Sequence, residues 1–571
     1  MRDGVTRQNG TGEAAGSPAG PDDHGWDDSL YNDRAAAGRH TLPQQADGQD
    51  GASLRRAGER APRSRRRRIL RWAAITVSLT ILGTAGAGWA YYQHLNGNLG
   101  KGKRSSGGSD VAKPKADSKG QTPINILLIG SDSRNSAADL KLGGSKQSVG
   151  AKPLADVQML VHLSADRRNM SVVSIPRDTR VHIPECEDPK THQKYAATTN
   201  SIINETLGRG GPGCTLDTWQ NLTGVYIDHW MMIDFAGVVQ MADAVGGVEV
   251  CVKQPVWDRP LPGVPGGSGL KIKAGKQKVY GRTALQWLRT RHAFFDDLGR
   301  AQAQHMYLNS MIRQLKSRYV FTDTGRLLGL AETATSALDV SEEIGTVRKL
   351  GDLAMQLKSV PSNRITMTTM PVVQDQQNLN HLVPKGADAA RIWSMIRNDI
   401  PFDANGKAKT ATGGTSGATP TSSAAPPGPS AAPAATIPVS VINGTAGGSG
   451  IPVSGRAGAL AKTLADAGFS KAAASPTQQP SAGTVLSYPA KDGGQGKADA
   501  LAVAAILKLP KNVVKKSVQV SSITLLVGAD WRAGTDYSKT LPSAGSVPSS
   551  ARAINGSDKN ACMDVYKPYV W

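Results

Sequence analysis

Ile124-Asn125-Ile126-Leu127-Leu128-Ile129, closed by Gly130-Ser131-Asp132, is the stretch that sets the class of the fold. It is short, rich in β-branched and aliphatic side chains, and bounded by Pro123 and Gly130, which marks a strand. Val157 to Leu163 and Met170 to Ile175 repeat the pattern. Phe235, Val238, Val239, Ala242 and Val245 instead step by three and four residues, the spacing of one helix face. Such segments alternate through about Ile400, so residues 123–403 are predicted to form an α/β or α+β domain, a central mixed sheet flanked by helices.

Working outward, 404–436 is built from Ala, Gly, Pro, Ser and Thr and reads as a linker. A small α/β domain is expected over 437–530. Val439, Val441 and Ile442 start it as a strand, and Ala457, Leu460, Ala461 and Leu464 supply a helix face that ends at Gly468. Residues 531–571 read as a mostly unstructured tail. Upstream, 93–122 is rich in Gly, Ser and Lys and reads as a flexible stalk, and 1–68 as a disordered tail. The 63 glycines and 33 prolines in 571 residues agree with a chain that is not packed from end to end.

Trp72 to Tyr92 carries no charge and follows Arg63, Arg65, Arg66, Arg67, Arg68 and Arg71, so 69–92 is expected to be one transmembrane helix. Arginines on its N-terminal flank keep the tail cytoplasmic and place everything after Tyr92 outside the cell. A cleaved signal peptide is disfavoured by the length of the apolar stretch and its distance from Met1. The net charge of +21 favours an anionic partner. Much of that excess is this topology signal, and no basic face with interleaved aromatics follows, so nucleic acid is not expected as a partner. Cys186, Cys214, Cys251 and Cys562 all fall on the exported side, where disulfides persist. Three full pairings are open, and Cys214 with Cys251 is the expected bridge.

Candidate chemistry lies in four places. Asp297, Arg300 and Gln304 share one helix face, for which an exposed Asp297–Arg300 ion pair is the plain alternative. Arg289 and Arg291, two apart, would project to one side of an extended segment. Arg177 follows the strand Met170 to Ile175, and ligands of open α/β sheets gather at carboxyl ends of strands. Converging guanidiniums suit phosphate, because their planar fork bonds its oxygens in pairs. Asp132 and Asp156, at neighbouring strand ends, either make salt bridges or hold Mg²⁺ together with substrate phosphates. Gly208, Gly210 and Gly213 match GxGxxG but lack the strand-to-helix context of a dinucleotide loop. His292 and His305 read as ordinary surface or core histidines, and the sequons at Asn204 and Asn443 as chance.

The segments Leu127-Leu128-Ile129-Gly130-Ser131-Asp132-Ser133-Arg134, Ser174-Ile175-Pro176-Arg177-Asp178, Asp243-Ala244-Val245-Gly246-Gly247-Val248-Glu249-Val250, Leu288-Arg289-Thr290-Arg291-His292 and Asp297-Leu298-Gly299-Arg300, in that order, resemble the LytR-CpsA-Psr family. Residues 437–528 resemble the LytR C-terminal domain that often accompanies it. The resemblance implies a membrane-anchored phosphotransferase that moves a glycopolymer from a polyprenyl pyrophosphate carrier onto peptidoglycan through a phosphodiester. It implies an apolar lipid pocket in the α/β core, with Arg177, Arg289, Arg291 and Arg300 on the pyrophosphate. Asp132 and Asp156 would hold Mg²⁺, and Asp297 and Gln304 would position the arginines or the acceptor. Leu154, Thr198 and Ala303 stand where the family commonly has Arg, Lys and Arg. Those departures leave two other readings open: a non-catalytic wall-binding or regulatory protein, and a pyrophosphatase acting on the lipid carrier.

Overall fold

The structure, a computed structural model, describes residues 63–114, 116, 120–133, 150–316, 323–405, 429–447, 451–481 and 483–571. Most of the 1–68 tail, of the stretch between Asp132 and Asp156 and of the 404–436 linker lies outside these residues. The chain divides into two units, Met1–Ser78 and Leu79–Trp571. Helix α1 (Arg63–Asn98) is, from Arg67 to Asn98, long and apolar enough to cross a membrane by length and composition.

An eight-stranded mixed sheet organises the larger unit. Its strands are β1 (Gly100–Gly102), β2 (Ile124–Ser131), β3 (Ala155–Leu163), β4 (Met170–Ser174), β5 (His229–Ile233), β6 (Leu338–Ser341), β7 (Ile365–Thr369) and a final short strand, Ile554–Asn555, in the spatial order β1-β6-β5-β2-β3-β4-β7 and then Ile554–Asn555. β2 pairs antiparallel with β3 and parallel with β5, so the three runs first read as strands form the middle of the sheet. Side chains alternate across its pleat. Leu127 and Ile129 enter one core with Trp219 and Ile392, while Ile126 enters another with Met159 and Leu353. Helices α2 (Leu207–Thr223), α3 (Phe235–Ala244), α4 (Gly281–Arg289), α5 (Asp297–Lys316), α6 (Thr324–Ala337), α7 (Val347–Ser359) and α8 (Gly386–Arg397) accompany the sheet. A ribbon of Val248–Val252 paired with Gly275–Val279 packs on α5 with its own core around Trp287 and Phe294.

The C-terminal α/β module has a five-stranded sheet of β8 (Val439–Asn443), β9 (Ala472–Gln478), β10 (Val485–Pro489), β11 (Val514–Ser517) and β12 (Ile523–Val527), in the order β9-β8-β12-β10-β11. Helices α9 (Arg456–Asp466) and α10 (Gly493–Ile506) bury Leu460, Leu464 and Val503 in its core.

Three expectations are corrected. The stalk is held, not free: β1 pairs parallel with β6, and the buried Asp217 carboxylate of α2 accepts from the Ser106 and Gly108 amides at 2.9 and 3.0 Å. Small Gly and Ser residues, which resemble a linker, are what let the backbone reach that carboxylate. The tail is also ordered among the described residues. Trp531 and Tyr537 pack edge-on in the core of the C-terminal module, and Ile554–Asn555 adds an edge to the large sheet beside β7. Finally, Cys214 does not pair with Cys251; the bridges are Cys186–Cys214 and Cys251–Cys562. Cys214, on the buried face of α2, and Cys251, in the ribbon, belong to separate cores, so each pairs with a cysteine of its own core. Gly210 makes room for the first bridge, since a Cβ there would meet the Cys186 and Cys214 Cβ atoms at 2.8 Å.

Candidate phosphate site

Arg177 emerges three residues after β4, where the chain leaves the sheet. Its Nη1 donates to Asp156 Oδ1 at 2.9 Å, from the second residue of β3. Burial pulls the Arg177 guanidinium down, but the carboxylates of Asp156 and Asp178 more than offset it, so its pKa lies above the ordinary value. The other cations come from α4, α5 and the loop between them. Arg289 ends α4 with its guanidinium 5.1 Å from the Phe235 ring centre, and Arg291 follows in the loop. The extended segment expected around Arg289 is in fact a helix, because Ala284, Leu285 and Leu288 place an apolar face on neighbouring elements. Both arginines still reach the same cavity.

Asp297, the first residue of α5, bridges two of these groups. Arg291 Nη2 donates to its Oδ2 at 2.7 Å, and Arg300 Nη2 lies 2.7 Å from Oδ1 without hydrogen-bond alignment. The ion pair that helix spacing suggests is therefore present, but Arg300 is 8% exposed and the pair is not a surface one. Burial lowers the Arg300 pKa against the pull of Asp297, and a guanidinium stays cationic regardless. Gln304 Nε2 donates to the Leu288 carbonyl at 3.1 Å, tying α5 to the end of α4. The turn between the helices is tight: a Cβ on Gly299 would stand 1.7 Å from the Phe294 carbonyl oxygen, and Phe295 takes φ +75°.

One cavity of about 300 Å³ collects Asp156, Arg177, Arg289, Arg291, Arg300 and Gln304. That is the lower end of the range for small-ligand sites. Ile233, Phe235, Val238, Leu285 and Leu288 form an apolar wall beside the guanidiniums. Asp297 stands behind the arginines. Asp132 is not among the lining residues; its Oδ1 accepts from the Leu154 amide at 2.6 Å, closing the chain next to Ser131, which does line the cavity. Among the described residues no group of three or more His, Cys, Asp or Glu could hold a metal. The donor set thus fits a cation shared between one or two carboxylates and substrate phosphates, and does not fit a cage of protein ligands.

Sequence reasoning missed Asp234, Asp258, Ser268 and His292, all of which line the cavity. Asp234 had a local signal, since it caps α3 by accepting from the Gly237 amide. Asp258 and Ser268 are brought in by a glycine-rich loop that carries no periodic signal. His305 is fully buried, its Nε2 unpartnered, and burial lowers its pKa from 6.5 to about 4. Ala303, where an arginine was anticipated, is buried against Trp287, whose indole N–H donates to the Ala303 carbonyl.

Comparison with known proteins matches residues 91–398 to the model described as LytR_cpsA_psr family, and residues 436–531 to one described as LytR cell envelope-related transcriptional attenuator. The cell wall biosynthesis protein LcpA of Corynebacterium glutamicum is 28% identical over 324 residues, covering 53% of this chain and 60% of that protein's length. The polyisoprenyl-teichoic acid–peptidoglycan teichoic acid transferase TagV of Bacillus subtilis is 23% identical over 346 residues, 59% of this chain and 80% of its own. The crystal structure of B. subtilis TagV aligns at 22% identity over 49% of this chain and 97% of that chain, with a TM-score of 0.37. With its family model spanning more than half of its residues, the chain belongs to the LytR-CpsA-Psr family.

Proposed function

We propose that this chain is a membrane-anchored phosphotransferase that moves a glycopolymer from a polyprenyl pyrophosphate carrier to a hydroxyl of peptidoglycan. The observation that carries the reading is the convergence of Arg177, Arg289, Arg291 and Arg300 on one cavity with an apolar wall. The diphosphate sits among the guanidiniums, and the first isoprenoid units lie against Ile233, Phe235 and Leu288. The acceptor oxygen attacks the phosphorus that bears the glycopolymer, and the carrier leaves as polyprenyl phosphate. Charge grows on the leaving phosphate, where fixed cations in a partly dry cavity lower the barrier most. Asp297 keeps Arg291 and Arg300 aimed inward, and Gln304 holds the α4–α5 junction. Asp156 would hold Mg²⁺ in the cavity, joined by Asp132 only if that carboxylate gave up the Leu154 amide, and the ion would supply further charge neutralisation. Helix α1 would anchor the chain, its arginine-rich end cytoplasmic. The name of the TagV relative agrees with the reaction class.

The regulatory reading loses one of its motives, because position 303 faces the core and not the cavity. Full-length protein in detergent, given a polyprenyl pyrophosphate glycan, Mg²⁺ and peptidoglycan fragments, is expected to yield glycan joined to peptidoglycan. Release of free phosphate alone would make it a pyrophosphatase, and binding without product a regulator.

A further inference from the structure

The cavity contains a carboxylate that phosphate binding leaves unused. Asp258 follows the short strand Val256–Trp257 and is 1% exposed. Its Oδ2 accepts from the Ser268 amide at 2.7 Å, whereas Oδ1 is buried with no hydrogen-bond partner. Leaving a buried carboxylate oxygen unpaired is costly, and the cost is recovered when a ligand brings the missing donor. A diphosphate has no donor to bring. A sugar hydroxyl does.

The rim beside it has matching chemistry. His292 lines the same cavity with its Nδ1 buried and unpartnered, and stacks on Tyr569 of the C-terminal segment at 6.2 Å. That segment also sets Tyr566 against Phe295, ring centres 5.5 Å apart, with the two residues 47% and 58% exposed. Phe295 holds its ring outward at φ +75°, a strained backbone conformation for a bulky residue and one that clusters at functional positions. Exposed aromatic faces stack on the C–H faces of pyranose rings, and a recessed carboxylate accepts from a hydroxyl on the ring edge.

We propose that Asp258 and the Phe295–Tyr566 rim form the subsite for the acceptor sugar, with Asp258 Oδ1 taking the proton of the attacking hydroxyl. The proposal rests on the transferase reading and deepens it. The acceptor is favoured over the donor sugar because the acceptor hydroxyl must surrender a proton as it reacts, and Asp258 is a carboxylate with an open lone pair in that cavity. In the step, the acceptor oxygen bonds to the glycopolymer-bearing phosphorus. The bond from that phosphorus to the bridging oxygen breaks, its electron pair leaves with polyprenyl phosphate, and the hydroxyl proton moves to Asp258.

The test uses the full-length chain in detergent with the donor, Mg²⁺ and soluble peptidoglycan glycan fragments, and measures geranylgeranyl pyrophosphate binding separately. Asp258→Asn is expected to lower coupling turnover by about 100-fold or more while that binding changes less than about twofold. Phe295→Ala with Tyr566→Ala is expected to raise the acceptor KM about 10-fold and leave the donor KM unchanged. Wild-type coupling by Asp258→Asn overturns the subsite. So does loss of diphosphate binding together with coupling, because the carboxylate would then support the phosphate wall or its cation. A wild-type chain that binds the diphosphate but couples nothing removes the transferase reading itself, and the subsite with it.

Discussion

At the scale of single residues, the arrangement depends on carboxylates that hold cations in place. Asp297 serves both Arg291 and Arg300, and Arg300 is nearly buried, so removing its charge deprives a desolvated guanidinium of its main counter-charge. Asp297→Asn is expected to destabilise the protein by about 3 kcal/mol, read as a lowered urea midpoint. His305 makes a second prediction, through pH. Its folded pKa of about 4 lies below the ordinary 6.5 because burial excludes the charged form. The unfolded chain therefore takes up a proton between pH 6.5 and 4 that the folded chain refuses. The stability from the neutral imidazole is full above pH 6.5 and is lost as pH falls toward 4, on the order of 3 kcal/mol in all. His305→Phe should flatten the fall in unfolding midpoint between pH 7 and 5; an unchanged slope would assign it to other groups. The arginines of the cavity were the most legible part of the sequence, since Arg177, Arg289, Arg291 and Arg300 stand out by residue type and do line one cavity. Asp258 was not legible, because its place depends on a loop between Val256 and Ile272 whose glycines have no period.

At the scale of elements, the α4–α5 junction sets the aim of three arginines. Gly299 allows the first turn of α5 to lie against the Phe294 carbonyl. Gly299→Ala would force that turn away and move Arg300. Weaker geranylgeranyl pyrophosphate binding is expected, by about 10-fold, in a chain that still folds, with titration calorimetry as the check. Strands β2, β3 and β4 were readable because each is an apolar run bounded by Pro, Gly or Asp, the form a strand takes when both faces are covered. Arg289, taken with Arg291 as part of an extended segment, instead closes helix α4, whose period is carried upstream by Ala284, Leu285 and Leu288. Strands of two or three residues, such as Gly100–Gly102 and Ile554–Asn555, have too little sequence to show a period; their neighbours in the sheet define them.

For the whole molecule, the C-terminal segment returns from the second α/β module to the ribbon near the cavity, and Cys251–Cys562 fastens it across 311 residues. No local pattern encodes a partner that distant, which is why the pairing and the order of 531–571 escaped the sequence reading. Cys562→Ser is expected to cost about 2–5 kcal/mol and to speed amide exchange across Ile554–Trp571, with β2–β4 unaffected. Uniform exchange would mean the segment is held by packing alone. The proposed function depends on one diphosphate meeting four guanidiniums. A crystal structure of the chain with a bound polyprenyl pyrophosphate tests this most directly. Its two phosphates are expected within hydrogen-bond distance of Arg177, Arg289, Arg291 and Arg300, with the prenyl chain on Phe235 and Leu288. Phosphates bound elsewhere, with that cavity filled only by water, would contradict it.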